Sequence, residues 1–200
     1  MARRRRHHRS WSPRRRVDVR ELRQRFLIVC EGAKTEPNYF QSFRVPKAVV
    51  DVRGVGRNTV SLVRKALELR DEDDYDQVWC VFDKDDFSLQ NFNAALALAK
   101  QNHINVAYSN EAFELWYVLH FNYHQAATKR DRYARLLTKL LSTPYEKNLS
   151  DMYERLESRQ ETAIRNAEKL LNRYDPPDPA RDNPSTTVHL LVQELNRFAV

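Results

Sequence analysis

The sequence predicts an α/β domain with a largely parallel, four-stranded sheet flanked by helices. Three observations predict it. Short apolar runs, FLIVC, AVVDV, VWCVF and INVAY, recur along the first half of the chain. Longer stretches with helical spacing separate them, and each supplies the crossover that a parallel pair of strands requires. Polar or glycine residues close the runs, as Glu31 and Gly32 do after the first and Asp83 after the third.

The elements follow in order. Phe26 to Cys30 is a buried strand, and Pro37 fits the first turn of a helix that starts near Glu36 and carries Tyr39, Phe40 and Phe43. Ala48 to Val52 is a second strand, closed by Gly54 and Gly56. A helix from about Thr59 presents Val60, Val63, Leu67 and Leu69 on a mixed apolar face. Val78 to Phe82 is the third strand. Leu89 to Asn102 is an alanine-rich helix with Ser88 as its N-cap. Ile104 to Tyr108 is the fourth strand, and Ala112 to Phe121 an apolar helix. Beyond them Lys129 to Leu141, Leu149 to Tyr174 and Thr186 to Phe198 read as helices, separated around Pro144 and by PPDPARDNPS. In NPSTT, Ser185 or Thr186 is expected to cap the last of them. The chain thus divides into an arm (1–25), an α/β core (26–125) and a helical C-terminal extension (126–200) that packs on the core.

Charge is concentrated at the start. Residues 1–25 carry eleven arginines against Asp18 and Glu21, a balance of +9 that exceeds the whole-chain +7 and leaves the remainder at −2. MARRRRHHRSWSPRRR has no apolar periodicity to order it, so it is expected to be a disordered basic arm. Arg3, Arg4, Arg5, Arg6, Arg14, Arg15 and Arg16 are candidates for phosphate contact by counterion release, with Trp11 free to stack on a base. A solubility tail is the plainer alternative. His7 and His8 are read as part of the arm. No run of eighteen apolar residues and no signal-peptide pattern occurs, so a cytoplasmic protein without membrane contact is expected. Cys30 and Cys80 sit in apolar runs and are read as core thiols.

VWCVFDKDDF places Asp83, Asp85 and Asp86 at the end of a buried strand. A solvated turn explains them plainly; aim at a hard divalent cation, which prefers oxygen ligands, explains them chemically. In an open parallel sheet the ligand site lies beyond the carboxyl ends of the strands, so Glu31 and Asp83 face the same edge. Lys34, in the loop after Glu31, is either a phosphate contact or a surface lysine. Glu36 reads as a helix-start charge, and Lys84 as exposed, with a phosphate contact as the alternative. That loop holds a single glycine and is no P-loop. In SNEAFELW, Ser109 or Asn110 is expected to cap the next helix. Glu114, an acid in an apolar segment, is a candidate for a second metal or a substrate contact, ahead of Glu111. His120 is read as a core or partner-facing histidine, and His189 as too isolated to be catalytic.

FLIVCEGAKTEPNYF, VWCVFDKDDF, VAYSNEAFELWYVLHF and NPSTTVHLL, in that order, resemble the RloB-like proteins found in bacterial abortive-infection loci of the AbiL type. The resemblance spans most of residues 26–200 and implies a Toprim-like fold whose metal site uses a glutamate after the first strand and a DxD after the third. Carried onto this chain, these are Glu31, Asp83 and Asp85, with Asp86 and Glu114 as further ligand candidates. It implies Mg²⁺ or Mn²⁺ as cofactor and a nuclease acting on RNA, tRNA included, or on DNA in anti-phage defence. It also implies a companion ATPase of the AAA or ABC type, and leaves a homo-oligomer open. The alternative is a non-catalytic nucleic-acid- or nucleotide-binding subunit of an ATPase-containing complex. In a third reading, the arm recruits the ATPase.

Overall fold

The computed structural model describes residues 23–46, 48–85 and 88–199. Its elements run β1 (Gln24–Cys30), α1 (Thr35–Gln41), β2 (Ala48–Gly54), α2 (Thr59–Arg70), β3 (Gln77–Asp83), α3 (Leu89–Gln101), β4 (Asn105–Asn110), α4 (Glu114–Leu119) and α5 (Arg130–Leu141). They continue with α6 (Met152–Leu156), a 3₁₀ turn (Glu157–Arg159), α7 (Gln160–Leu171), β5 (Ser185–Thr186) and α8 (Val188–Asn196).

The sheet has the order β2-β1-β3-β4-β5, with the first four strands parallel and β5 antiparallel to β4. Both faces are covered, which is why β1 and β3 read as continuous apolar runs rather than as alternating ones. Phe26, Ile28, Cys30, Trp79 and Val81 point into one layer with α1, α4, α5, α7 and α8. Leu27, Val29, Val78, Cys80 and Phe82 point into the other with α2 and α3. The two cysteines are free, buried, and on opposite faces of the sheet. Ser88 caps α3, its hydroxyl accepting from the Asn91 amide at 3.2 Å.

The sheet therefore has five strands, where the sequence predicted four. Thr186 is not the start of a helix: Ser185 and Thr186 pair with Asn110 and Ser109, and the Thr186 hydroxyl donates to the Tyr108 carbonyl at 2.9 Å. Ser109 consequently meets Thr186 Oγ1 at 2.9 Å, and Asn110 reaches the Pro179 carbonyl at 3.4 Å, so neither side chain caps α4. That helix is shorter than expected, Glu114–Leu119, and Glu111 ahead of it is held by other partners. It pairs with Lys129 at 2.8 Å, accepts from the Arg130 amide at 3.3 Å and is met by Asn183 at 3.3 Å. The span expected as one helix over 149–174 is divided into α6, the 3₁₀ turn and α7. Buried positions 156, 160, 163, 167 and 170 keep helical spacing through the tightened turn, so periodicity alone reads it as continuous. Lys84 is buried, not exposed, with its amide on the Ser109 carbonyl at 2.7 Å and its ammonium on the Asp85 carbonyl at 2.9 Å. No helix among the described residues is long and apolar enough to cross a membrane.

Candidate functional site

Beyond the carboxyl ends of β1 and β3 lies a cavity of about 420 Å³. Parallel pairing of β1 with β3 brings their ends side by side, with the Glu31 amide on the Val81 carbonyl at 2.8 Å. The chain then doubles back: Glu31 Oε2 accepts from the Asp83 amide at 3.1 Å, so the glutamate after one strand is fixed against the aspartate ending the next. Asp85 lines the same cavity two residues on.

The loop from Gly32 to Thr35 forms one wall. It lies hard against β2: a Cβ on Gly54 would sit 2.7 Å from the Gly32 carbonyl oxygen and 2.8 Å from Pro37 Cγ. Gly32 in turn makes room for Glu36, whose carboxylate would collide with a Cβ there. The opposite wall comes from the C-terminal half. Glu111 anchors the start of α5, and the Arg130 guanidinium reaches Asp85 Oδ2 at 2.5 Å. The Tyr145 hydroxyl donates to Glu114 Oε1 at 3.2 Å, with Lys147 Nζ at 3.7 Å from the same oxygen. Thr35 donates to the Lys147 carbonyl at 2.6 Å and joins the two walls.

Five carboxylates, from Glu31, Glu36, Asp83, Asp85 and Glu114, thus share the cavity with Lys34, Arg130 and Lys147. Glu36, Asp83 and Glu114 are only 6%, 8% and 4% exposed. Burial is the main cause of the unusual proton affinities here. It pushes Glu31 up to about 7, helped by Asp85 and Glu36 and opposed by the Asp83 amide and by Arg130. It raises Asp83 well above the usual carboxylate range, with Glu36, Glu114 and Glu31 adding repulsion, and raises Glu36 in the same direction. Tyr145 is pushed up by burial and then by Glu114. For Arg130 burial works against the charge, but Asp83, Asp85 and Glu114 together outweigh it.

The donor set suits a hard divalent cation: it is all oxygen, it carries more negative than positive charge, and it is partly withdrawn from water. Asp85 Oδ1 is buried without a hydrogen-bond partner, and the Asp83 carboxylate accepts no hydrogen bond among the described residues. Asp85 Oδ1 is thus an oxygen in want of a cation or donor. Among the described residues, however, no three His, Cys, Asp or Glu side chains already form a ligand cage, and Arg130 holds one oxygen of Asp85. The residues fit the ion chemically, and binding it calls for side-chain rearrangement.

Glu31, Asp83, Asp85, Glu114 and Lys34, all singled out from sequence, line this one cavity. Asp86 and Arg3, Arg4, Arg5, Arg6, Arg14, Arg15 and Arg16 lie outside the described residues. Glu36, Arg130, Tyr145 and Lys147 were missed as site residues. For Glu36 a signal existed, since a loop that turns back after Glu31 returns the acid of EGAKTE to the same edge. The other three arrive from distant sequence with no local motif. His120 and His189 stand apart from the cavity; His120 is buried, with Nδ1 2.9 Å from the Trp116 carbonyl oxygen, and burial pushes it down to about 4.

No curated protein and no solved structure matches the chain. The profile of one family, described as RloB-like protein, matches residues 26–195. That span begins in β1, just ahead of Glu31, and ends within α8, so every described wall of the cavity falls inside it, and the chain belongs to the RloB-like protein family.

Proposed function

We propose that this chain is a metal-dependent nuclease with a Toprim-like catalytic core, cutting RNA, tRNA included, or DNA as an effector of bacterial anti-phage abortive infection. The observation that carries the reading is the convergence of Glu31, Asp83 and Asp85 on one buried acidic cavity at the carboxyl edge of a parallel sheet. The defence role and a companion AAA- or ABC-type ATPase rest on the family resemblance. Asp83 and Asp85 are the residues to hold Mg²⁺ or Mn²⁺, with Glu31 and Glu114 as neighbours able to share it. When bound, such an ion neutralises phosphate charge and lowers the pKa of a coordinated water.

The chain's own residues supply the rest. Glu31, with a proton affinity near neutrality, is suited to take up or release a proton at its free oxygen while Oε2 stays on the Asp83 amide. Lys34 and Lys147 are exposed cations on the rim and attract a phosphodiester toward the acids. Arg130 must exchange its carboxylate for phosphate, or share the two, when substrate arrives.

A second reading, a nucleic-acid- or nucleotide-binding subunit without turnover, is favoured by one observation: the Arg130–Asp85 pair already neutralises a carboxylate that the enzyme needs. Incubating the full-length protein, with and without its companion ATPase, with total tRNA and plasmid DNA in Mg²⁺, Mn²⁺ or EDTA separates the two. Cleavage that requires the metal and vanishes in folded Asp83→Asn and Glu31→Gln supports the enzyme. Binding without cleavage in every combination supports the second reading and overturns the first.

A further inference from the structure

Helix α5 brings Arg130 to the acidic cavity and then runs away from it carrying Arg132, Arg135 and Lys139. These three, at spacings of three and four residues, share a helix face. All are exposed, and among the described residues none of them makes an ion pair or a side-chain hydrogen bond. They line a second hollow, of about 410 Å³, with His124, Thr128 and Leu136, and among the described residues no carboxylate takes part in its wall. The hollow is built rather than incidental. The Thr128 hydroxyl donates to the Ala126 carbonyl at 2.9 Å, which leaves His124 Nε2 as the donor to Thr128 Oγ1 at 2.8 Å. The His124 ring also packs edge-on against Tyr133 of α5, 6.0 Å between centroids. Behind it, Arg173 Nη1 holds the Gln125 carbonyl at 3.1 Å, adding a further positive charge.

Three exposed cations that the fold itself does not neutralise, lining one hollow, raise the local positive potential and attract an anion. Seven residues of helix separate Arg132 from Lys139, a length of roughly 10 Å, which exceeds one phosphate group and suits successive phosphates of a strand. Arg130 lies on the same helix, roughly 13 Å from Lys139 along the axis. Arg130 leaves the helix on the side opposite Arg132, Arg135 and Lys139, so the N-terminal end of α5, and not the hollow itself, adjoins the acids.

We propose that the α5 hollow formed by Arg132, Arg135 and Lys139 is a phosphate-backbone track that seats a nucleic-acid strand. This rests on the nucleic-acid part of the function proposed above, and not on turnover. A membrane surface fits the hollow poorly, because the site is concave and, among the described residues, Leu136 is its only apolar wall residue.

The test uses the full-length chain carrying Asp83→Asn, so that binding is read without cleavage. Fluorescence anisotropy with a labelled 20-nucleotide single strand, as RNA and as DNA, is measured from 50 to 300 mM salt. Each phosphate contact to a single strand contributes about 0.7 to the slope of log K against log salt, so Arg132→Gln/Arg135→Gln/Lys139→Gln is expected to flatten the slope by about 2. Lys139→Gln alone is expected to flatten it by about 0.7 and guards against misfolding of the triple variant. Circular dichroism should be unchanged, the residues being exposed. Slopes equal to those of the parent, in both variants, overturn the proposal. So does a loss confined to anionic phosphatidylserine vesicles, which identifies a lipid surface instead. A flattened slope alongside wild-type protein that cleaves nothing, with or without its companion ATPase, upholds the track and rejects the nuclease.

Discussion

Replacing Glu31 with glutamine should stabilise the metal-free protein at alkaline pH, although it removes a candidate catalytic group. Glu31 is raised from 4.5 to about 7, burial being the largest cause. A carboxyl group whose folded-state pKa lies above its unfolded value binds more protons when folded. Its stabilising contribution is complete below about pH 4.5 and is lost as the pH climbs through about 7. At about 1.4 kcal/mol for each pH unit the rise corresponds to roughly 3 kcal/mol, and the partial exposure of the carboxylate reduces this to about 2 kcal/mol. Glutamine keeps an oxygen for the Asp83 amide and never acquires the charge. It also relieves Asp83, whose own proton affinity Glu31 helps to raise. Urea denaturation in EDTA should therefore show wild type and Glu31→Gln nearly equal at pH 5, with the variant more stable by about 2 kcal/mol at pH 8. Mn²⁺ should narrow the gap at pH 8, because it compensates the charge that burial penalises. Curves that remain parallel from pH 5 to pH 8 would refute a buried, mutually repelling cluster as the source of the shift.

Two further substitutions probe the walls. Arg130→Gln removes the cation on Asp85 Oδ2, so calorimetric titration at pH 7.5 should show Mn²⁺ binding tighter on the order of tenfold, and equal or weaker binding would contradict competition for that oxygen. Gly54→Ala places a methyl group against the Gly32 carbonyl, Pro37 and the Ala33 Cα, which is backbone and ring rather than a movable side-chain tip. It should cost about 1–3 kcal/mol in thermal or chemical denaturation, and full wild-type stability would show that the loop is not pressed onto β2.

The parallel strands were legible because both faces of β1 and β3 are covered, leaving unbroken apolar runs with acids at their ends. Glu31 and Asp83 could be joined on paper for the same reason: topology sends both to one edge. Proximity in space without proximity in sequence accounts for most of what was hidden. Arg130 and Lys147 approach from roughly a hundred residues beyond Glu31, and nothing in RDRY or YEKN marks them. The same holds for β5, where two residues cannot display a period and whose pairing is fixed by hydroxyls meeting Tyr108 and Ser109. Lys84 misled for a subtler reason. Strand alternation says which side a residue takes, but β4 and the Asp85 carbonyl decide whether that side is wet.

The two sulfhydryls make the molecule self-reporting. They are the chain's whole complement of cysteine, and burial raises Cys80 to about 12 and Cys30 well above its ordinary value. An alkylating reagent accordingly finds no reactive sulfur until a layer lifts away. Cys30 answers for the helices on its side and immediately precedes Glu31; Cys80 answers for α2 and α3. Peptide-resolved labelling can thus time the loosening of each face separately, without adding a probe.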